Sequence, residues 1–238
     1  YMIGLGTAIN IGLIIAGSLC GLAFGRFMKE NLKQTLMMVS GIIVLLLGMS
    51  GAMQYMLVIV NGTLQTTGPM LMIISMVAGA VIGELIDLNR WITVFGDWVK
   101  AKTGNTGDPQ FTHAFITASL TFTVGAMGVL GSIQDGLTGN YQTLLLKGIL
   151  DGIIVMVMVS SMGKGALFSF IPVGITQWII TAMAHIAAPL MTPSAIDNLS
   201  YVGSILIFCV GIDLIWPGKI RIANLLPAIF VAMGLTFL

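Results

Sequence analysis

Long apolar runs recur along the chain, separated by short polar stretches. A helix needs about 20 apolar residues to cross a bilayer core. Runs of that kind lie at Gly4–Phe24, Thr35–Met53, Pro69–Ile86 and Ala114–Ile133. Four more follow at Gly148–Ser169, Ile171–Leu190, Leu199–Trp216 and Ile222–Leu238, the last two short. The pattern predicts an all-α polytopic membrane protein of about eight transmembrane helices. The fifth and sixth runs nearly touch, so one of them is a candidate re-entrant segment. Pro69 and Pro172 each fall in a first helical turn, where a missing N–H costs little. Pro227 lies inside the last run and predicts a kink or break there.

Two stretches do not span. Asn89–Lys102 sets Trp91, Val94, Phe95 and Trp98 at helical spacing among Arg90, Asp97, Lys100 and Lys102. That is the pattern of an amphipathic helix lying in the interface. Thr103–Pro109, made of turn formers without an apolar residue, reads as a linker. Asn61–Gly68 reads as a short polar loop.

Composition narrows the class further. Charged residues make up 8% of the 238, against roughly 25% in an average soluble protein. Ten Lys and Arg with nine Asp and Glu cannot cover the surface of a soluble domain. An ordinary soluble enzyme, a nucleic-acid binder and a disordered chain are excluded. There is no Walker-type loop, no Cys/His cluster with metal spacing and no nucleophile–base signature. No catalytic residue, cofactor or metal site is therefore assigned, and the expected function is not enzymatic. Cys20 and Cys209 sit inside apolar runs and read as membrane-buried thiols. The first run is too long and too glycine-rich for a signal peptide.

The basic residues set an expected orientation. With the N-terminus outside, Arg26, Lys29 and Lys33 fall in the first loop, and Arg90, Lys100 and Lys102 in the third. Lys164 falls in the fifth and Lys219 with Arg221 in the seventh. Nine of ten thus lie on one side, as the positive-inside rule asks. Both termini are expected outside. The exception is Lys147, at the edge of a span.

A repeat is visible at an offset of 114 residues. Gly17–Gly25 can be laid over Gly131–Gly139, and Gly51-Ala52 over Gly165-Ala166. Three spans separate the copies, so they have opposite topology, a construction shared by many secondary transporters. The expected organisation is a first half at 1–102, with three spans and the interfacial helix, and a linker at 103–112. An inverted second half follows at 113–190 and two terminal spans at 191–238. In the first span, Gly4, Ala8, Gly12 and Ala16 recur every four residues, as do Gly17, Gly21 and Gly25. Small residues at that spacing let helices approach closely, within one chain or across a homo-oligomer seam.

Ionisable groups at bilayer depth are expensive and are functional candidates by default. Lys147 and Asp151 lie four apart on one helical face. As an ion pair they are either an internal brace or a site, and both readings stay open. Asp213 stands in the seventh span, where it is a candidate for binding a cation or carrying a proton. Glu84 and Asp87 read as solvated anchors. Asp135 falls in the turn after the fourth span, placed to cap a helix or guard an outer mouth. Uncharged oxygens replace an ion's water; Asn10, Asn224, Thr121, Thr123, Ser160, Ser161, Gln177 and His185 lie within spans.

The run Thr121–Gly139 resembles the central signature of the YqgA/YdfK-like bacterial inner-membrane proteins, a domain of unknown function. Lys147 with Leu150-Asp151-Gly152, then Gly163, Ser169 and Pro172, continue the likeness. So do Gly6-Thr7 with Asn10 at the start and Ile222–Ala228 at the end. Ala126 stands where that signature has proline, and Asp213 where it has asparagine. The resemblance implies a bacterial inner-membrane protein, with sodium passage suggested as its class and no activity assigned. It also implies that Gly125, Gly128, Gly131, Ser132, Gln134, Asp135 and Gly139, with Lys147 and Asp151, form the functional centre.

The leading expectation is a transporter or channel for a small ion or solute, with a monovalent cation as first choice. The lipid bilayer and that ion are its partners. The alternative is a non-transporting scaffold or lipid-binding module.

Overall fold

The computed structural model describes residues 3–25, 27–123, 126–190 and 192–237. Its helices are α1 (Leu5–Gly25), α2 (Glu30–Met56), α3 (Pro69–Ile86), α4 (Leu88–Lys102), α5 (Phe111–Thr123) and α6 (Ala126–Thr138). They continue with α7 (Gln142–Met162), α8 (Phe170–Ala182), the single turn α9 (Ala184–Ala187), α10 (Pro193–Ile215) and α11 (Pro227–Gly234). Among the described residues, six stretches are long and apolar enough to cross a bilayer: α1, Gln34–Met56, α3, α7, Lys164–Ala182 and α10. The protein is an α-helical, multi-pass membrane fold.

The fourth and eighth expected spans are not continuous helices long enough to cross. The fourth run is divided into α5 and α6, which are bent by 60° relative to each other. Residues 124 and 125 between them, Gly125 of the expected site included, fall outside the described residues. The eighth run is a 3-10 turn at Ile222–Leu225, then α11, then a 3-10 turn at Leu235–Phe237. Pro227 sits in the first turn of α11, so the break the sequence predicts falls just before it. Running from Ile222 to Phe237, this segment would reach about 24 Å as an α-helix, short of the roughly 30 Å core. In place of the fifth and sixth runs, the structure has Gln142–Met162 and Lys164–Ala182, both long enough to span; each begins before the expected run, so Lys147 lies inside a span and not at its edge. They are divided at Gly163, whose φ of 92° suits glycine.

Asn10 lies against Gly148, Leu13 and Gly17 against Gly152, Gly21 against Met156 and Gly25 against Ser160. Residue numbers rise together, so α1 and α7 are parallel. Counted as one span, the bent pair would bring the spans among the described residues from six to seven by length and composition.

A second correction concerns the polar loop. Leu57–Val60 and Thr63–Thr66 form an antiparallel hairpin, β1 and β2, with Val60 opposite Thr63. Asn61 (φ 52°) and Gly62 (φ 77°) both take left-handed backbone, the Asn-Gly signal for a two-residue hairpin turn. The flanking β-branched and apolar residues complete it.

The described chain divides into two compact units. The first comprises Tyr1–Ser40, Ile92–Thr123 and Met127–Pro189; the second comprises Gly41–Trp91, Val124–Ala126 and Leu190–Leu238. Each takes helices from both sides of the 103–112 linker. In the first, the parallel α1–α7 seam is its spine. A Cβ at Gly17 would fall on the Gly152 carbonyl, and one at Gly21 on that of Met156. Ala8, Gly12 and Ala16, the other small-residue series of α1, are exposed. Val99, Phe111 and Phe115 pack the end of this unit, where Phe95 stacks on Trp98 at 5.9 Å. Trp98 and Val94 keep more than half their surface exposed, as an interfacial face of α4 requires.

The second unit repeats the close-packing device in antiparallel form. Gly41 of α2 sits on Leu214 and Ile215 of α10, and Gly48 on Phe208. Gly79 and Gly83 of α3 sit on Ala228 and Asn224. Thr192 caps α10 by accepting the Ala195 N–H at 3.2 Å, with Pro193 in the first turn.

Candidate functional site

The first unit gathers a polar centre inside its helix packing. Lys147 and Asp151, one turn apart on α7, are 6% and 7% exposed and form an ion pair. Asn10 is brought to them by the α1–α7 seam. A Cβ at Gly148 would stand 3.0 Å from Asn10 Cα and 3.1 Å from its Oδ1, so glycine there admits the asparagine. The Asn10 amide lies beside the Asp151 carboxylate, while neither of its polar atoms makes a fully formed hydrogen bond. Gly128 of α6 closes another side. A methyl group there would stand 3.3 Å from Lys147 Cε and 3.9 Å from Gln177 Nε2.

Gln177 of α8, in sequence one polar span residue among several, belongs to this centre. It is 3% exposed, and both ends of its amide are without partners. The buried Thr123 hydroxyl is also unpartnered. Both residues line one small cavity with Gly128, Val129 and Val173. No local signal sets Gln177 apart, because its neighbours arrive from α6 and α7.

The remaining residues of the α6 signature hold helices together. Asp135 is fully buried inside α6, not in a turn, and accepts the Gly6 N–H at 3.1 Å. It thus caps the N-terminus of α1 from another helix, where a carboxylate also complements the helix dipole. Its second oxygen is buried and unpartnered, as is the Thr7 hydroxyl. Ser132 bonds the Gly128 carbonyl at 2.7 Å, and its own carbonyl accepts the Thr181 hydroxyl at 3.2 Å. Gln134 accepts the Thr143 hydroxyl at 2.7 Å. Gly131 meets the Leu144 side chain, and Gly139 (φ 69°) ends α6 in a left-handed turn. The helices carrying the two matched segments, α1 and α6, run in opposite directions, since α6 antiparallels α7.

Asp213 and Asn224 belong to the second unit. Asp213, buried near the end of α10, accepts the Gly218 N–H at 2.8 Å and ties down the loop that follows. Asn224, 1% exposed, accepts the Asn89 N–H at 2.6 Å and caps the start of α4. Glu84 pairs with Arg221 at 3.1 Å, both about half exposed or more. Among the described residues, no group of three or more His, Cys, Asp or Glu could hold a metal ion.

A separate hollow of about 420 Å³ opens where α1 and α7 end together. Gly25, Asp108, Gln110, Ser160, Ser161 and Lys164 line it. Two parallel helices present their carbonyl ends there, a weakly negative environment.

Comparison with known proteins places the chain in a family. It is 28% identical over 227 residues to the uncharacterized membrane protein YdfK of Bacillus subtilis (strain 168), covering 95% of this chain and 93% of that one. It is 24% identical over 240 residues to the uncharacterized protein YqgA of Escherichia coli (strain K12), covering 98% and 96%. No solved structure gives a significant match. Residues 5–237 match the family described as protein of unknown function (DUF554), and the chain belongs to that family.

Proposed function

We propose that the polar centre of the first unit passes a small monovalent cation across the bacterial inner membrane. In this reading the protein is a transporter or channel, not an enzyme, with both termini outside. Its partners are the bilayer and the ion; it needs no cofactor and no nucleic acid. The observation that carries the reading is a buried carboxylate with one unpartnered acceptor beside it and another near the stem of its lysine partner. Asn10 Oδ1 and Gln177 Oε1 are buried and unsatisfied, beside Asp151 and the Lys147 stem. Unpaired buried polar atoms cost about 1–3 kcal/mol each, and their persistence fits a site that a ligand completes. The hollow at the ends of α1 and α7 would serve as the water-filled approach from the inner side, where Lys164 is expected.

The test is flux through purified protein in liposomes, with Na⁺, K⁺, H⁺ and anions compared in turn. Cation flux above empty liposomes, lost in Asp151→Asn, is the expected result. No flux of any cation sinks the reading.

A second reading has one observation in its favour. Lys147 and Asp151 already neutralise each other, as an internal brace of a non-transporting scaffold or lipid-binding module would, alone or as a homo-oligomer. In a scaffold, exchanging both members of the pair together restores what either single change loses. In a transporter, the restored fold still carries no flux.

A further inference from the structure

Two buried hydroxyls without partners lie between the polar centre and the hollow at the ends of α1 and α7. On successive turns of α1 stand Asn10 at the centre, Ile14, Ser18 and then Leu22, which lines the hollow. On α7 the matching series is Asp151, Val155 and Val159, the last also lining the hollow. Ile14, Ser18 and Val155 are fully buried. A serine inside a helix can satisfy itself on the carbonyl one turn back, as Ser119, Ser132 and Ser200 do. Ser18 makes no such bond, and its hydroxyl has no partner. The fully buried Ser169, just before α8, has an unpartnered hydroxyl too. The two share a depth. Gly4 lies against Trp178 and Ile11 against Gly174, so α8 runs antiparallel to α1. From the Ile11–Gly174 contact, Ser18 lies about 10 Å onward along α1 and Ser169 about 7 Å back along α8, in the same direction. The Lys164–Ser169 turn itself packs on α1.

We propose that a monovalent cation moves between the Asp151–Asn10 seat and the hollow along this face of α1. It crosses a barrier at Ile14 and Val155 and pauses at a second seat made by the Ser18 and Ser169 hydroxyls. The inference rests on the cation reading above. Hydroxyl oxygens replace part of an ion's water, and as neutral ligands they hold it more weakly than a carboxylate does. A path needs such a step, because each seat must bind well enough to be entered and weakly enough to be left. Ile14 and Val155 carry no side-chain oxygen, so the path is closed while they stay packed. A buried hydroxyl without a partner is destabilising, and the passing ion supplies the partner that the helices do not.

Liposome flux of Na⁺ and K⁺ through the purified full chain tests the path, with stability measured alongside by SDS titration. Ser18→Ala/Ser169→Ala should lower flux several-fold while stability holds or rises, since each change removes an unpaired buried hydroxyl. A purely structural role cannot give that split. Ile14→Thr, which places a hydroxyl in the barrier, should raise flux several-fold. Unchanged flux in the serine variant, or flux that does not rise in a folded Ile14→Thr, overturns the path and leaves cation passage standing. Lowered flux together with lost stability makes the serines structural, as holders of a fixed water, and overturns the second seat. Absence of wild-type flux overturns path and passage together. The serine variant decides alone should Ile14→Thr not fold.

Discussion

Replacing Gly17 with alanine probes the α1–α7 seam, and Gly12→Ala on the same helix is its control. A Cβ at Gly17 would fall on the Gly152 carbonyl oxygen, 2.8 Å from its carbon and 2.9 Å from Gly152 Cα. Ordinary contact begins near 3.4 Å, and the obstacle is backbone, so no side chain can turn away. The helices must part by a good fraction of an ångström, loosening the neighbouring contacts of Gly21 and Gly25. At Gly12 a Cβ meets nothing within 4 Å. Helix propensity favours alanine at both positions, by up to about 1 kcal/mol, and cancels in the comparison. What remains is the overpacking cost, about 1–3 kcal/mol, or roughly a 5- to 150-fold shift in the unfolding equilibrium. Reversible unfolding by SDS titration in mixed micelles reads this difference. Gly17→Ala at least as stable as Gly12→Ala would refute the parallel seam.

Four further outcomes follow from the same structure. Asp151→Asn leaves the Lys147 ammonium without its carboxylate and should cost about 3–5 kcal/mol in the same titration; joint Lys147→Met and Asp151→Leu should recover most of it. Asp135→Ala removes the cap on Gly6 and should cost about 0.5–2 kcal/mol, while Asp135→Asn, which keeps an acceptor, should lose less. Asn224→Ala should free the start of α4, read as faster amide exchange at Asn89 with the core of α10 unaffected. Lipids brominated near the headgroup should quench Trp91 and Trp98 fluorescence, and the quenching should fall in Trp91→Phe/Trp98→Phe; equal quenching in that variant argues against an interfacial α4.

Much of the architecture is legible because bilayer depth imposes a length and a solvent on each segment. The spans of α1, α3 and α7, the amphipathic α4 and the Lys147–Asp151 pair all follow from spacing within one element. The hairpin is legible too, since Asn61-Gly62 between apolar strands is a local turn signal. The missed features are long-range. Gln177 acquires its place only when α8 meets α6, and Asn10 only when α1 lies parallel to α7. Asp135 and Asn224 look like buried functional groups in sequence, yet each satisfies the first N–H groups of a helix far away in the chain. Burial alone cannot separate a ligand-binding carboxylate from a capping one; the partner decides.

The parallel pairing of α1 with α7 has a consequence for biogenesis. Gly6 and its acceptor Asp135 are 129 residues apart, a distance that takes about 6–26 s to synthesise at 5–20 residues per second. During that interval α1 is already inserted, with its glycine face and its first N–H groups waiting in lipid or against the insertion machinery. Made well before α7, α1 thus waits for its permanent neighbour until the chain between them is complete. A nascent chain arrested before α7 should leave α1 accessible to cross-linking from the translocon, and release of the arrest should clear it.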